Sequence, residues 1–214
     1  MKKKILFIVL PFLFCSLLAQ NDQNKDNGII EKTTQKYNAF AAFSMDYTFK
    51  VDDPAIKFPT YKGTLIVQKE KYYLSVDDQI IGNDGKMLWN YQKSVNEVSF
   101  FAANDDSFSM FNPMIMLNNW NKDYKAKFIR KEVYQKKTNL LVDLTPVKPF
   151  QFYKFRLFID ESTYYIQKIV MYDMDNTTTT YTITKFNPNV SVQEDKFTFN
   201  KSDYPDVQVN DMRQ

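Results

Sequence analysis

Ile80-Ile81-Gly82-Asn83-Asp84-Gly85-Lys86-Met87-Leu88-Trp89-Asn90-Tyr91 is the stretch that decides the fold of this chain. Apolar and aromatic residues flank Asn83-Asp84-Gly85, whose residue types tolerate positive φ, so the segment reads as strand, tight turn, strand. A second polar turn at residues 92–96 leads to another strand at Val98-Ser99-Phe100. Taken alone, this is a β-meander.

The meander extends in both directions. Upstream, Phe43, Met45, Tyr47, Phe49 and Val51 alternate with Ser44, Asp46, Thr48, Lys50 and Asp52, the period of a half-buried strand. Before it, Asn27 or Gly28 is placed to cap a helix whose Ile30, Thr33, Tyr37, Phe40 and Ala41 follow a helical period. Residues 53–59 read as a loop, and strands follow at 61–67, 72–76, 79–82, 87–91 and 97–101. The pattern breaks at Asp105-Asp106. Asn112-Pro113 then supplies a cap and a first-turn proline for a short apolar helix, Met114-Ile115-Met116-Leu117. Strands return at 125–133, 139–145, 153–160, 164–172 and 177–186, with a last piece near Phe197. This order predicts a mostly β (α+β) fold: a strongly curved antiparallel sheet or open barrel, with an N-terminal helix and a mid-chain helix over one face.

The N-terminus reads as an export address. Lys2, Lys3 and Lys4 precede an apolar stretch at residues 5–18, and Leu17-Leu18-Ala19 offers a cleavage point before Gln20. The stretch is short of the roughly 20 residues of a membrane span. Cys15 is a poor lipidation site, because Phe14 stands where a small residue is needed. The expected organisation is a signal peptide over 1–19 and a single domain over 20–214. Without the three N-terminal lysines, the 28 basic residues fall to 25, equal to the 25 acidic ones. The case for a nucleic-acid partner goes with that basic excess. The single cysteine lies in the same segment, so the mature domain would be free of disulfides.

The absence of histidine excludes Ser-His-Asp and Cys-His chemistry and the usual zinc sites. Asp52-Asp53, Asp77-Asp78 and Asp105-Asp106 all fall at strand ends or loops, where aspartate favours turns. Asp173-Met174-Asp175-Asn176 lacks the glycine and distal glutamate of a calcium loop, and reads as a hairpin turn. Thr177 to Thr180 reads as a strand with a solvated face. Two features remain open between core and function. The apolar row of the first strand is either plain core or the wall of a cavity. Met110, Phe111, Met114, Ile115, Met116 and Leu117 spread around a short helix that is either buried core or a lid, with methionines suited to repacking around apolar ligands.

The wording Asp84-Gly85-Lys86-x-Leu88-Trp89-x-Tyr91 resembles the central hairpin of the LolA family, periplasmic carriers of lipoproteins. The resemblance runs in order along the chain. Phe43-Ser44-Met45-Asp46-Tyr47 is similar to the family's opening strand, and Gly63-Thr64-Leu65-Ile66-Val67 to its Gly-x-Leu-x-Val strand. Asn112-Pro113-Met114 to Leu117 lies where the family has a proline-containing lid helix. Phe197-Thr198-Phe199 and Asp206-Val207-Gln208-Val209 resemble its closing strand and C-terminal end.

The resemblance implies an incomplete, strongly curved antiparallel β-barrel whose N-terminal and mid-chain helices cover an apolar cavity, serving as a non-enzymatic periplasmic carrier, monomeric and without cofactor or metal. It would take acylated lipoproteins from an inner-membrane lipoprotein-releasing ABC transporter to an outer-membrane acceptor. Phe43, Met45, Tyr47, Phe49, Leu65, Val67 and Tyr73 would line the cavity, with Met114, Ile115 and Leu117 as lid. The family's interior arginine, held to latch the lid, is matched here by Lys69, which lacks the planar guanidinium fork. The alternative is a similar fold serving as an envelope sensor or as a binder of another hydrophobic ligand.

Overall fold

The computed structural model describes the backbone of residues 15–105, 113–149 and 151–213, with side chains omitted at 15–25 and 113–115. Six strands descend from the first: β1 (Phe43–Asp52), β2 (Tyr61–Gln68), β3 (Lys71–Val76), β4 (Gln79–Asn83), β5 (Met87–Gln92) and β6 (Glu97–Ala102). Each pairs antiparallel with the next. A second meander comprises β7 (Tyr124–Tyr134), β8 (Lys137–Pro146), β9 (Phe152–Asp160), β10 (Ile166–Asp173) and β11 (Thr178–Pro188). Antiparallel pairing of β11 with β1 joins the two meanders, and β12 (Gln208–Asp211) adds parallel to β6 at one edge. The result is a single curved, open sheet of twelve strands, in the order β12-β6-β5-β4-β3-β2-β1-β11-β10-β9-β8-β7. A sheet this wide relieves its accumulated twist by curling. A bulge in β11 opposite Asp46 and Tyr47 contributes to the bend.

The hairpin of the quoted stretch forms as its residues dictate. Asp84 N donates to Met87 O at 3.2 Å, and Gly85 adopts φ 87°, open to glycine at little cost. Asn83 Oδ1 accepts from Gly85 N, and Asp84 Oδ1 from Lys86 N and Met87 N. The Asp173–Thr177 segment is likewise a hairpin turn, closed by Asp173 N donating to Thr177 O.

Among the described residues, three α-helices accompany the sheet: α1 (Cys15–Asn38), α2 (Pro113–Asn118) and α3 (Trp120–Asp123). The expected start at Asn27 or Gly28 is corrected, because α1 runs straight through both. Gly28 costs a helix about 1 kcal/mol relative to alanine, too little to end one that is continuous on both sides. Residues 1–14 of the expected signal peptide lie outside the described residues, as do Asp106, Met110, Phe111 and Asn112. The strand expected near Phe197 is a 3-10 turn (Glu194–Phe197), and the final strand comes later as β12. The strand expected from residue 164 begins at Ile166, since Tyr164 sits at φ 60° in the preceding turn.

The sheet has two covered faces. The inner face carries the main apolar core, roofed by α1 and α2 through Ile29, Ile30, Tyr37, Met116 and Leu117. On the outer face, Trp89, Tyr91, Val98 and Val207 form a smaller cluster with Tyr73, Phe199 and Tyr204. The C-terminal segment seals it, with Trp89 Nε1 donating to Phe197 O at 2.8 Å.

Candidate functional site

Alternation along β1 and β2 builds the inner face residue by residue. Phe43, Met45 and Tyr47 are buried on β1, opposite Val67, Leu65 and Gly63 on β2. Leu74 and Tyr72 of β3 continue the same rows. On the other side, Met45 faces Phe186, and Phe49 faces Tyr181. Phe43, Met45, Tyr47, Leu65, Val67 and Leu117 belong to one apolar cluster, and the partly buried Phe49 packs against it. The side chains of Met114 and Ile115 lie outside the described residues, although their backbone belongs to α2.

Two sequence expectations are corrected. Tyr73 is on the outer face, where its ring lies 6.3 Å from Trp89 and under the Lys196 ammonium at 3.7 Å. Strand parity assigns the inner position to Tyr72 instead. Lys69 is exposed in the β2–β3 turn at φ 56°, so it is no interior latch. It borders a cleft of about 380 Å³ with Tyr37, Phe40, Phe43, Val67 and Asn118, at the seam between the ends of α1 and α2.

The helical roof is tied down at defined points. Tyr37 of α1 packs edge-on against Phe43 and Phe186, with centroids at 5.4 and 5.5 Å. Thr34 Oγ1 donates to Leu117 O at 3.3 Å, joining α1 to α2. Phe128 N donates to Asp26 Oδ1 at 2.8 Å, joining α1 to β7.

At one end of β1–β4 the inner face opens into an apolar mouth of about 410 Å³. Phe49, Val51, Phe58, Tyr61 and Val76 line it, with Asp77 and Asp78 at its edge. Phe49 stacks on Tyr61 at 5.8 Å and meets Tyr181 at 5.1 Å, so an aromatic row leads inward. Sequence reasoning missed Tyr61, Val76 and Tyr181. The signal for Tyr181 was the odd-numbered row Thr179, Tyr181, Ile183 in a strand read by its threonines.

The inner-face cluster is built of uncharged side chains, with Asp105 near enough to act on the Tyr72 phenol. Burial pushes the Tyr47 and Tyr181 phenols far above their ordinary value, and Tyr72 up to about 12. Asp53 and Asp78 occupy turns: Asp53 Oδ1 accepts from Ala55 N and Ile56 N, and Asp78 from Ser94. Among the described residues, no three His, Cys, Asp or Glu side chains stand together as a metal-binding group. No described helix is long and apolar enough to cross a membrane.

An uncharacterized protein of Methanocaldococcus jannaschii is 24% identical over 197 residues, covering 91% of this chain and 56% of that protein. The chain thus spans little more than half the length of the curated relative it matches. An uncharacterized conserved protein of Thermus thermophilus superposes with a TM-score of 0.62 at 8% identity, over 89% of this chain and 99% of that one. A LolA superfamily protein of Nitrosomonas europaea superposes with a TM-score of 0.48 at 15% identity, over 81% and 97%. The family model described as outer membrane lipoprotein carrier protein LolA matches residues 38–200, a span that takes in β1 to β11 and the roof helix α2, and the chain belongs to that family.

Proposed function

We propose that this protein is a periplasmic carrier that shelters the acyl chains of lipoproteins between its sheet and its helical roof. It accepts them from an inner-membrane ABC transporter, delivers them to an outer-membrane acceptor, and performs no chemistry of its own. The supporting observation is the inner face itself: contiguous Phe43, Met45, Tyr47, Leu65 and Val67 beneath a helical roof, reached through an apolar mouth. Each methylene removed from water contributes about 0.8 kcal/mol, so a modest length of acyl chain suffices for binding. The roof rests on apolar packing and a few hydrogen bonds, and it must lift for cargo to reach the inner face.

The test is release of newly made lipoproteins from spheroplasts. Wild-type protein is expected to release them into the soluble fraction. Met45→Glu, which places a carboxylate at a position only 2% exposed, is expected to abolish release. Phe58→Glu at the mouth, 40% exposed and so compatible with folding, is expected to weaken it. Undiminished release by both variants would refute the assignment.

A further inference from the structure

The buried tyrosines of this chain divide into two kinds. Tyr37 Oη accepts from Ile166 N, Tyr91 Oη donates to Asn96 Oδ1, and Tyr72 has Asn83. Tyr47 and Tyr181, only 3% and 5% exposed, have no such partner among the described residues: both hydroxyls are sealed from solvent and make no hydrogen bond there. They are also neighbours, with ring centroids 5.7 Å apart. A buried, unsatisfied hydroxyl is destabilising, and phenylalanine would fill either position without that cost. The two rings are neighbours, and each carries a donor for which the described residues supply no acceptor.

Their position says how an acceptor arrives. The Tyr47 ring crosses the strand over Gly63, so closely that a Cβ there would lie 2.5 Å from the hydroxyl oxygen. Gly63 pairs with Val76, which lines the apolar mouth. Tyr181 meets Phe49, also of the mouth lining, at 5.1 Å. Both phenols therefore adjoin residues that line the opening. Their inner-face neighbours Met45, Phe49 and Leu65 are apolar, and the ring of Phe49 separates the pair from Tyr61. Burial holds both phenols protonated, and hence as donors, throughout the physiological range.

We propose that Tyr47 and Tyr181 recognise the carbonyl oxygen that joins an acyl chain to its head group, selecting acyl over alkyl lipids. This rests on the carrier reading above and adds a specificity to it. Hydrocarbon supplies the affinity along the apolar rows. The two phenols, placed just inside the mouth, set how deep the chain enters by catching its ester or amide linkage. An ether-linked chain of equal length fills the same space and leaves both hydroxyls unsatisfied.

The experiment compares dioctanoylglycerol with its ether analogue dioctylglycerol on the purified full chain, read by displacement of a fluorescent fatty acid. Wild-type protein is expected to prefer the ester about ten-fold, the ratio of one or two net hydrogen bonds. Tyr47→Phe and Tyr181→Phe keep both rings. They are expected to bring the ratio toward one by weakening the ester more than the ether. Equal binding of ester and ether by the wild type would overturn the carbonyl role and leave the carrier reading standing. A preference that survives in the double variant would do the same. Failure of either lipid to displace the probe would overturn the cavity itself.

Discussion

Tyr37, on the helix that roofs the inner face, accepts a hydrogen bond of 3.1 Å from the backbone N–H of Ile166, at the start of a strand 129 residues away. One phenol thereby joins three roles. It fills the aromatic cluster with Phe43 and Phe186, satisfies a buried amide and fixes the C-terminal end of α1 over the sheet. Tyr37→Phe keeps the ring and orphans the amide. Urea unfolding is expected to show a loss of about 1–3 kcal/mol. Hydrogen exchange at Ile166 and along the last turns of α1 is expected to accelerate.

Gly63 is the second point of strain-free close packing. A Cβ on this residue would lie 2.4 Å from Tyr47 Cζ, so the buried ring, 3% exposed, would have to shift to admit it. Gly63→Ala is expected to cost about 1–3 kcal/mol in thermal or urea unfolding, the range for overpacking a core. Combining it with Tyr47→Ala, which vacates the space, is expected to reverse part of the loss from Gly63→Ala. Additive losses would contradict the contact.

Much of this fold is legible in the residues, for a local reason. The ten-residue alternation of β1 and the Asn83-Asp84-Gly85 turn are short-range signals, and both appear where their chemistry puts them. Tyr73 shows where local reading stops. Strand β3 has aromatic or aliphatic residues on both faces because the C-terminal segment covers the outer one, so composition alone does not reveal which face is the core. Tyr72, Leu74 and Val76 carry the true parity. The C-terminal strand is illegible for a related reason. Phe197-Thr198-Phe199 alternates like a strand, yet Phe197 is buried on the outer side and the parallel pairing of β12 with β6 is wholly non-local. Lys69 matched an interior arginine by alignment of wording, but the β2–β3 turn places it in solvent.

Acid sensitivity should report on Asp160. Burial alone would raise this carboxyl, but hydrogen bonds from Ser162 Oγ and N and the Lys137 ammonium outweigh it and hold the group down to about 2, against an ordinary 3.8. Lys137 Nζ lies 2.9 Å from Oδ2, at the β8–β9 edge. A carboxyl depressed on folding stabilises the native state above its unfolded value and loses that contribution as pH falls through its folded value. Stability is therefore expected to decline between about pH 5 and pH 2, with on the order of 2 kcal/mol of the decline due to this group. Asp160→Asn should be less stable at neutral pH and show a shallower acid limb. An unchanged acid limb would remove Asp160 from the account.

The central claim is that acyl chains occupy the inner face, and native mass spectrometry of the protein purified from its own envelope without detergent tests it most directly. The account expects a fraction of molecules to retain an acyl-bearing lipid or lipoprotein, and Met45→Glu protein to carry none. A wild-type protein that emerges empty, and that takes up no acylated lipopeptide when one is offered in excess, would contradict it.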